Sequence, residues 1–302
     1  MKLVPILLAL CSIATPLHAQ IALTATVAGR EYSLSRAALP RRFARETAVL
    51  PTALEWQAVR PGLQTAEFTL EAGRLGVDVR VTVVRIEPQA FEFSLVHQTR
   101  ANRMTGAWNV DAAPADAAVA LNAGQFKETG PWGWVLLDGD ELRDPGYGPL
   151  SVGVAIDTAG GIHWLPFSRL AAARHDGSLR FAFQSYPTLL LDGRVPELAR
   201  SARLVDQQHR DARLLLAQDA AGRLLILLTR YDGLGRTAAR VPIGLTVPES
   251  IALIAALGAQ HAVMLDGGVS AQLLVRDRLG AARVWQGMRD VPLALIAVPR
   301  AD

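Results

Sequence analysis

The chain has 302 residues but only one cysteine, Cys11, inside its first twenty residues. One thiol cannot close an intramolecular disulfide, so packing alone must hold the core. A cysteine-based zinc site is excluded for the same reason. The histidines, at 18, 97, 163, 175, 209 and 261, show neither His-x-His nor His-x-x-x-His spacing. Lysine is almost missing too, occurring only as Lys2 and Lys127. The formal charge of +3 therefore rests on scattered arginines, and aromatics make up 6% of the chain. A nucleic-acid binder clusters basic residues among aromatics, so no nucleic-acid partner is expected. No apolar run approaches the roughly twenty residues that a membrane-spanning helix needs. No Gly-x-Gly-x-x-Gly follows a strand, which leaves a dinucleotide without a seat; no cofactor and no metal are expected.

What the chain does have is apolar surface. Half the residues are hydrophobic and 20% are charged, enough for a substantial core and unlike a disordered segment. Lys2 precedes the apolar run 3–14, followed by Thr15-Pro16-Leu17-His18-Ala19. A positive start, a short apolar centre and a small residue at the end describe a secretory signal peptide, predicted here as residues 1–19. Cleavage near Ala19 removes Cys11 and Lys2, lowering the charge to +2 and placing the mature protein in the periplasm or outside the cell. Residues 20–60, basic and marked by Pro40 and Pro51, read as a lead-in, and 61–302 as the main domain.

The domain reads as strand-rich. Val77, Val79, Val81 and Val83 alternate with Asp78, Arg80 and Thr82, the period of a half-buried strand, and Phe91, Phe93 and Leu95 repeat it. Apolar runs flank 157–161 and again 218–222, predicting two hairpins. Thr246-Val247-Pro248-Glu249 has the spacing of a capping box, and Gly258 is placed to end the helix it opens. A buried strand, 262–265, comes next. A helix feeding a strand late in a strand-rich chain predicts an α+β fold: a single domain with a mixed sheet and a few helices.

Two familiar chemistries fail on order and spacing. Ser270 has no histidine after it, which the α/β-hydrolase order requires. His209-Arg210-Asp211 looks like the start of a kinase catalytic loop, but Leu216 stands where that loop needs asparagine. What remains is a set of polar residues at the ends of apolar runs. Asp266 ends one and precedes Gly267-Gly268-Val269-Ser270. A carboxylate leaving a buried strand is fixed in place, and the glycines let backbone N–H groups converge on an anion. Asp176-Gly177 and Asp232-Gly233 are read as plain turns. Asn122-Ala123-Gly124-Gln125-Phe126 follows another buried run, where Asn122 either satisfies its own turn or lends its amide to a site. In 209–213 a salt-bridged surface and an arginine site for phosphate are both open readings. Glu249 is most simply the third residue of the capping box.

Taken in order, five segments resemble the phosphodiester glycosidase family over roughly residues 115–298. They are Asn-Ala-Gly-Gln-Phe (122–126), Gln184-Ser185-Tyr186-Pro187 with Leu190-Leu191-Asp192-Gly193, Arg213 ahead of Leu-Leu-Leu-Ala-Gln-Asp, Gly244-Leu245-Thr246 with Glu249, and Leu265-Asp266-Gly267-Gly268-Val269-Ser270. The family often has Asn-Gly-Gly-Phe-Phe and Asp-Gly-Gly-Gly-Ser, so Gln125 and Val269 depart from its pattern. The resemblance implies removal of N-acetylglucosamine from a sugar-phosphate diester, in bacterial relatives by exported proteins linked to exopolysaccharide. It implies Asp266 as the carboxylate facing the anomeric carbon, with Glu249 second. Arg213, aided by Arg210 or His209, is expected to neutralise the departing phosphate. Asn122, Gly124, Gln184, Asp192 and Thr246 are expected to bind the sugar side, and Gly267, Gly268 and Ser270 the phosphate oxygens. Two other classes remain: a non-catalytic binder of phosphorylated glycan, and a metal-dependent phosphodiesterase using Asp192, Asp266 and other carboxylates as ligands. The export reading has its own test: the mature protein recovered from its native host begins at Gln20 by intact mass and contains no titratable thiol. Retention of Cys11 refutes it.

Overall fold

The computed structural model describes residues 21–100, 103–200, 203, 205–232 and 241–300. The signal segment 1–19 and Gly233 of the Asp232-Gly233 turn lie outside the described residues. The centre of the fold is a nine-stranded sheet. Its strands run in the order Thr188–Leu190, Ala259–Met264, Leu214–Asp219, Leu224–Tyr231, Val77–Ile86, Leu63–Ala72, Leu23–Val27 and Arg30–Ser33, with Gln57–Arg60 also paired to Leu63–Ala72.

The middle strands of this sheet are covered on both faces, which explains their unbroken apolar runs. Successive side chains of a strand point to opposite faces. Leu215 and Ala217 accordingly pack toward the helix Val247–Ala256, in one core with Ile251 and Ile254. Leu214 and Leu216 point the other way, into a core shared with Phe93, Leu121, Val154, Phe183 and Leu295. Those residues belong to two five-stranded sheets. One runs Asp140–Arg143, Val135–Leu137, Leu179–Ser185, Val152–Asp157, Ile162–Pro166. The other runs Ala282–Trp285, Leu273–Arg276, Val119–Asn122, Leu293–Pro299, Phe91–His97.

The sequence-predicted elements are present. Val152–Asp157 pairs with Ile162–Pro166 around 157–161, and Leu214–Asp219 with Leu224–Tyr231 around 218–222. The helix opens with the expected capping box and is followed by Gly258 at φ +81°. Asp176-Gly177 forms a turn, though it joins the helix Phe167–Ala173 to a strand rather than two strands.

Two expectations are corrected. The sheet is not mixed: among the described residues every paired strand is antiparallel to its neighbour. The helix does link two strands of the same direction, Leu224–Tyr231 and Ala259–Met264. Both pair with Leu214–Asp219, which runs between them in the opposite direction, so the two never touch. Nor is 20–60 a lead-in. Leu23, Ala25 and Val27 alternate inward into the main core, and their strand bonds Leu63–Ala72 in register from Leu23↔Ala72 to Thr26↔Thr69. The proline-rich stretch after it bonds residues 193–195 through Arg41 and Phe43. Leu23 is 1% exposed. Truncation to alanine therefore costs about 3 kcal/mol in denaturant unfolding, where a true lead-in would show almost none.

Candidate active site

Strands Leu214–Asp219 and Ala259–Met264 pair antiparallel, with Leu215 opposite Met264. The start of the first and the end of the second therefore meet at one end of the sheet. Asp211 precedes the first and Asp266 follows the second. That register, absent from any local pattern, brings two carboxylates together.

Asp266 is held by its backbone. Its N–H donates to the Gly124 carbonyl (3.0 Å), and its own carbonyl accepts from Asn122 Nδ2 (2.8 Å). Asn122 Oδ1 in turn accepts from the Gln272 N–H (3.0 Å). Gly124 bends the chain at φ +66°, a conformation for which glycine is suited. The Ser270 hydroxyl donates to the Asp266 carboxylate. Burial pushes the Asp266 carboxyl up to about 6; Ser270 and Arg289 pull it down, and Asp211 adds to the rise.

Asp211 was not singled out by sequence. Its backbone pairs with Leu245 in both directions (3.3 and 3.0 Å). Its Oδ1 is buried without a hydrogen-bond partner, a state that costs about 1–3 kcal/mol. Both carboxylate oxygens face Gly268, where a Cβ would come within 2.8 Å of Oδ2. Burial raises the Asp211 carboxyl, against the pull of Arg213 and His209. His209 Nε2 stands 3.8 Å from Asp211 Oδ2. Arg289 lies over the Phe126 ring at 4.6 Å and acts on Asp266 through space. Tyr186 also faces Asp266: its phenol is raised first by burial, then by that charge.

Several expected ligand-binding residues have other work. Arg210 forms a two-point ion pair with Glu249, Nη1–Oε2 2.8 Å and Nη2–Oε1 2.7 Å, and also donates to the Gly244 carbonyl. Glu249 Oε2 accepts the Thr246 N–H (2.9 Å), while Thr246 Oγ1 accepts the Glu249 N–H. Arg210, Thr246 and Glu249 thus weld the 209–213 segment to the helix start, and Glu249, 3% exposed, has both oxygens engaged. Arg213 donates from Nε to the Leu245 carbonyl (2.8 Å) and from Nη2 to the His209 carbonyl (2.5 Å). Burial lowers its pKa, and the nearby Asp211 and Glu249 oppose that, so it contributes a fixed positive charge behind Asp211. It is not placed to grip a phosphate.

Gln184 is 1% exposed, and its Oε1 accepts the N–H groups of Trp134 and Gly146, both at 2.7 Å. Gly267 lets two loops touch, since a Cβ there would lie 2.5 Å from the Ala212 carbonyl oxygen. The Gly268 N–H donates to that same oxygen (2.8 Å), and the Ser270 N–H donates to Gly267. Those two N–H groups are therefore spent inside the turn rather than on an anion. Asp192 is at the wrong end. It and Gly193 have φ +51° and +69° and form a tight turn. It approaches His261 (3.7 Å), five residues before Asp266, about 16 Å away along an extended strand. The metal reading that joined Asp192 to Asp266 fails on this separation. Among the described residues no three His, Cys, Asp or Glu side chains gather at one point.

Residues 115–298, more than half of the chain, match the phosphodiester glycosidases. The chain belongs to that family. It is thus an enzyme of the glycosidase type. In structure this phosphodiester glycosidase is similar to the catalytic domain of zebrafish N-acetylglucosamine-1-phosphodiester alpha-N-acetylglucosaminidase, described as auto-inhibited by its pro-peptide. The TM-score is 0.61 at 17% identity, covering 86% of this chain and 95% of that one. A hypothetical protein from Synechocystis gives a TM-score of 0.53 at 16% identity, covering 93% and 68%. A Burkholderia pseudomallei protein described as a 'putative exported protein' gives 0.50 at 16%, covering 74% and 75%. At these identities the likeness speaks for the fold. No curated protein matches the chain in sequence.

The raised carboxyl of Asp266 carries a stability cost. Between an unfolded value near 3.9 and the folded value of about 6, the folded state binds more protons, so this group's contribution falls as pH rises through that window. Asp266→Asn is expected to stabilise the protein above pH 7 by up to about 3 kcal/mol, with the gain vanishing near pH 4. Denaturant unfolding across pH measures it; a variant less stable at pH 7 contradicts the assignment.

Proposed function

We propose that this glycosidase is exported and hydrolyses the glycosidic bond of a sugar-1-phosphodiester, an N-acetylglucosamine-1-phosphate-type linkage in an envelope or exopolysaccharide glycan. The observation that carries the proposal is the pairing of Asp266 with Asp211 at one sheet end, within a family that cleaves phosphodiester-linked sugars. The activity for which the zebrafish neighbour is named supports the choice of sugar. The export signal read from residues 1–19 supports the location.

Asp266 faces the anomeric carbon and Asp211 is its partner. Two like charges in a poorly solvated site resist being ionised together, so one proton is retained or shared between them. With a carboxyl poised near 6, Asp266 is mostly ionised at neutral pH and still basic enough to accept a proton. Positive charge grows on the sugar ring in an oxocarbenium-like transition state, and a carboxylate beside it is stabilising. A water oxygen bonds to C1 while the C1–O bond breaks, and that bond's electrons leave with the phosphate. One water proton passes to the carboxylate pair, and the other stays on the new sugar hydroxyl. The leaving phosphate monoester is acidic and departs without a proton. Its charge is met by Arg289, the cation that acts on Asp266, and His209 stands beside Asp211 to hydrogen-bond the phosphate oxygens.

Hydrolysis of an N-acetylglucosamine-1-phosphate diester in ¹⁸O-labelled water is expected to put the label on the sugar; label on the phosphate refutes the mechanism. Asp266→Asn and Asp211→Asn are each expected to lower kcat/KM by about 10²–10⁴-fold. In the wild type, kcat/KM falls as pH drops through about 6, because Asp266 is lost to protonation.

A further inference from the structure

Away from the carboxylate pair lies a concavity that the hydrolysis step does not use. It is a pocket of about 440 Å³ whose walls include Lys127, Thr129, Trp132, Leu142, Arg143 and Asp144. That volume falls in the range of small-molecule sites. Lys127 is the one lysine after the predicted signal segment. It is exposed, and its ammonium sits 3.9 Å from the centre of the Trp132 ring. Arg143 is held at the rim by donating to the Thr129 carbonyl. The acidic member, Asp144, shares Arg174 with Glu141 (Arg174–Asp144 2.8 Å), a cluster with one net negative charge that Lys127 and Arg143 together outweigh.

The pocket is built before any ligand arrives. Gln184 Oε1 accepts the N–H groups of Trp134 and Gly146, fixing two of its walls to each other. Gly133 and Gly146 approach so closely that a Cβ on Gly146 would lie 3.0 Å from the Gly133 Cα. A chain of contacts links it to the catalytic end of the sheet. Strands Gln125–Lys127 and Gly130–Trp132 form a hairpin that sets Gln125 opposite Trp132, so Gln125, Lys127 and Trp132 share a face. Gln125 Nε2 donates to the Tyr186 carbonyl (3.2 Å), and the Trp132 and Tyr186 rings meet edge-on at 5.2 Å. Tyr186 in turn faces Asp266. The departure of Gln125 from the family's usual phenylalanine thus ties this hairpin to the site.

We propose that this pocket is a leaving-group subsite, holding an anionic saccharide attached to the far side of the scissile phosphate. Trp132 packs against the sugar's apolar face, and Lys127 meets its negative charge, a carboxylate or a further phosphate. That it lies on the leaving-group side rests on the glycosidase reading; that it binds an anionic saccharide does not.

The test uses the full chain carrying Asp266→Asn, so that binding is read without turnover. Titration calorimetry compares N-acetylglucosamine-1-phosphate methyl diester with the same diester extended on its phosphate by a neutral trisaccharide, a uronate-bearing one, or a phosphorylated one. The charged extensions are expected to bind at least about tenfold tighter than the methyl diester, and the neutral one less so. Lys127→Glu, an exposed change, is expected to abolish the charged gain without altering methyl diester affinity, with Lys127→Gln between. Equal gains from both charged extensions assign the subsite to charge alone, and a larger gain from the phosphorylated one assigns it to phosphate. Equal affinity for all four probes, or a gain that survives Lys127→Glu, overturns the proposal. If the wild type turns over no diester while the extended probes keep their Lys127-dependent gain, the glycosidase reading has failed and the anionic-saccharide pocket stands.

Discussion

The rest of the molecule depends on a sheet whose middle strands are covered on both faces, and in particular on the pairing of Leu214–Asp219 with Ala259–Met264 at its heart. With helix packing on one side and two smaller sheets on the other, the middle of these strands has no room for an unpaired polar group. Charged side chains are pushed to the strand ends. Because the two strands run in opposite directions, the start of one and the end of the other share an end, and Asp211 and Asp266 meet there. The same burial that makes the sheet stable strips solvent from both carboxyls and raises their proton affinity.

Around that pair the polar residues divide into those that act on the carboxylates and those that hold the surrounding backbone. Arg210 and Glu249 pin the loop before Leu214–Asp219 to the helix start, and Arg213 draws the His209 and Leu245 carbonyls to one guanidinium. Asn122 clamps the Asp266 carbonyl, and Gly267 permits contact with Ala212. Each satisfies backbone groups that would otherwise be stranded near a buried site. They are positioning residues. The chemistry is left to Asp211 and Asp266, with His209, Tyr186 and Arg289 within electrostatic reach of them. Gln184 performs the same kind of service one layer out, where it fixes the walls of the Lys127 pocket.

The sequence displayed much of this, though not the division of labour. Alternation in Val77–Ile86, the two hairpins and the capping box were legible because each is set by neighbours within a few residues. Asp266 was legible as a carboxylate at the end of an apolar run. Asp211 carries the same signature, three residues before Leu214, yet the arginines and histidine around it also suit a salt-bridged surface. Composition cannot tell which member of such a cluster is engaged. Leu23–Val27 showed its alternation too, but it is brief and the basic, proline-marked stretch after it reads as a connector. Only its hydrogen bonds to Leu63–Ala72 reveal a strand.

By itself, then, the sequence determined the local elements, the predicted export segment and the ordered motifs that identify the family. Each of these is written in short-range spacing. Tertiary structure decided which residues face one another. It made every described strand pair antiparallel, moved Asp192 to the far end, engaged Glu249 and Arg210 with each other, and brought Asp211 into the site. Those outcomes follow from register between strands separated by dozens of residues. Register is fixed by which faces can be buried together, a property of the assembled sheets that no local window of sequence contains.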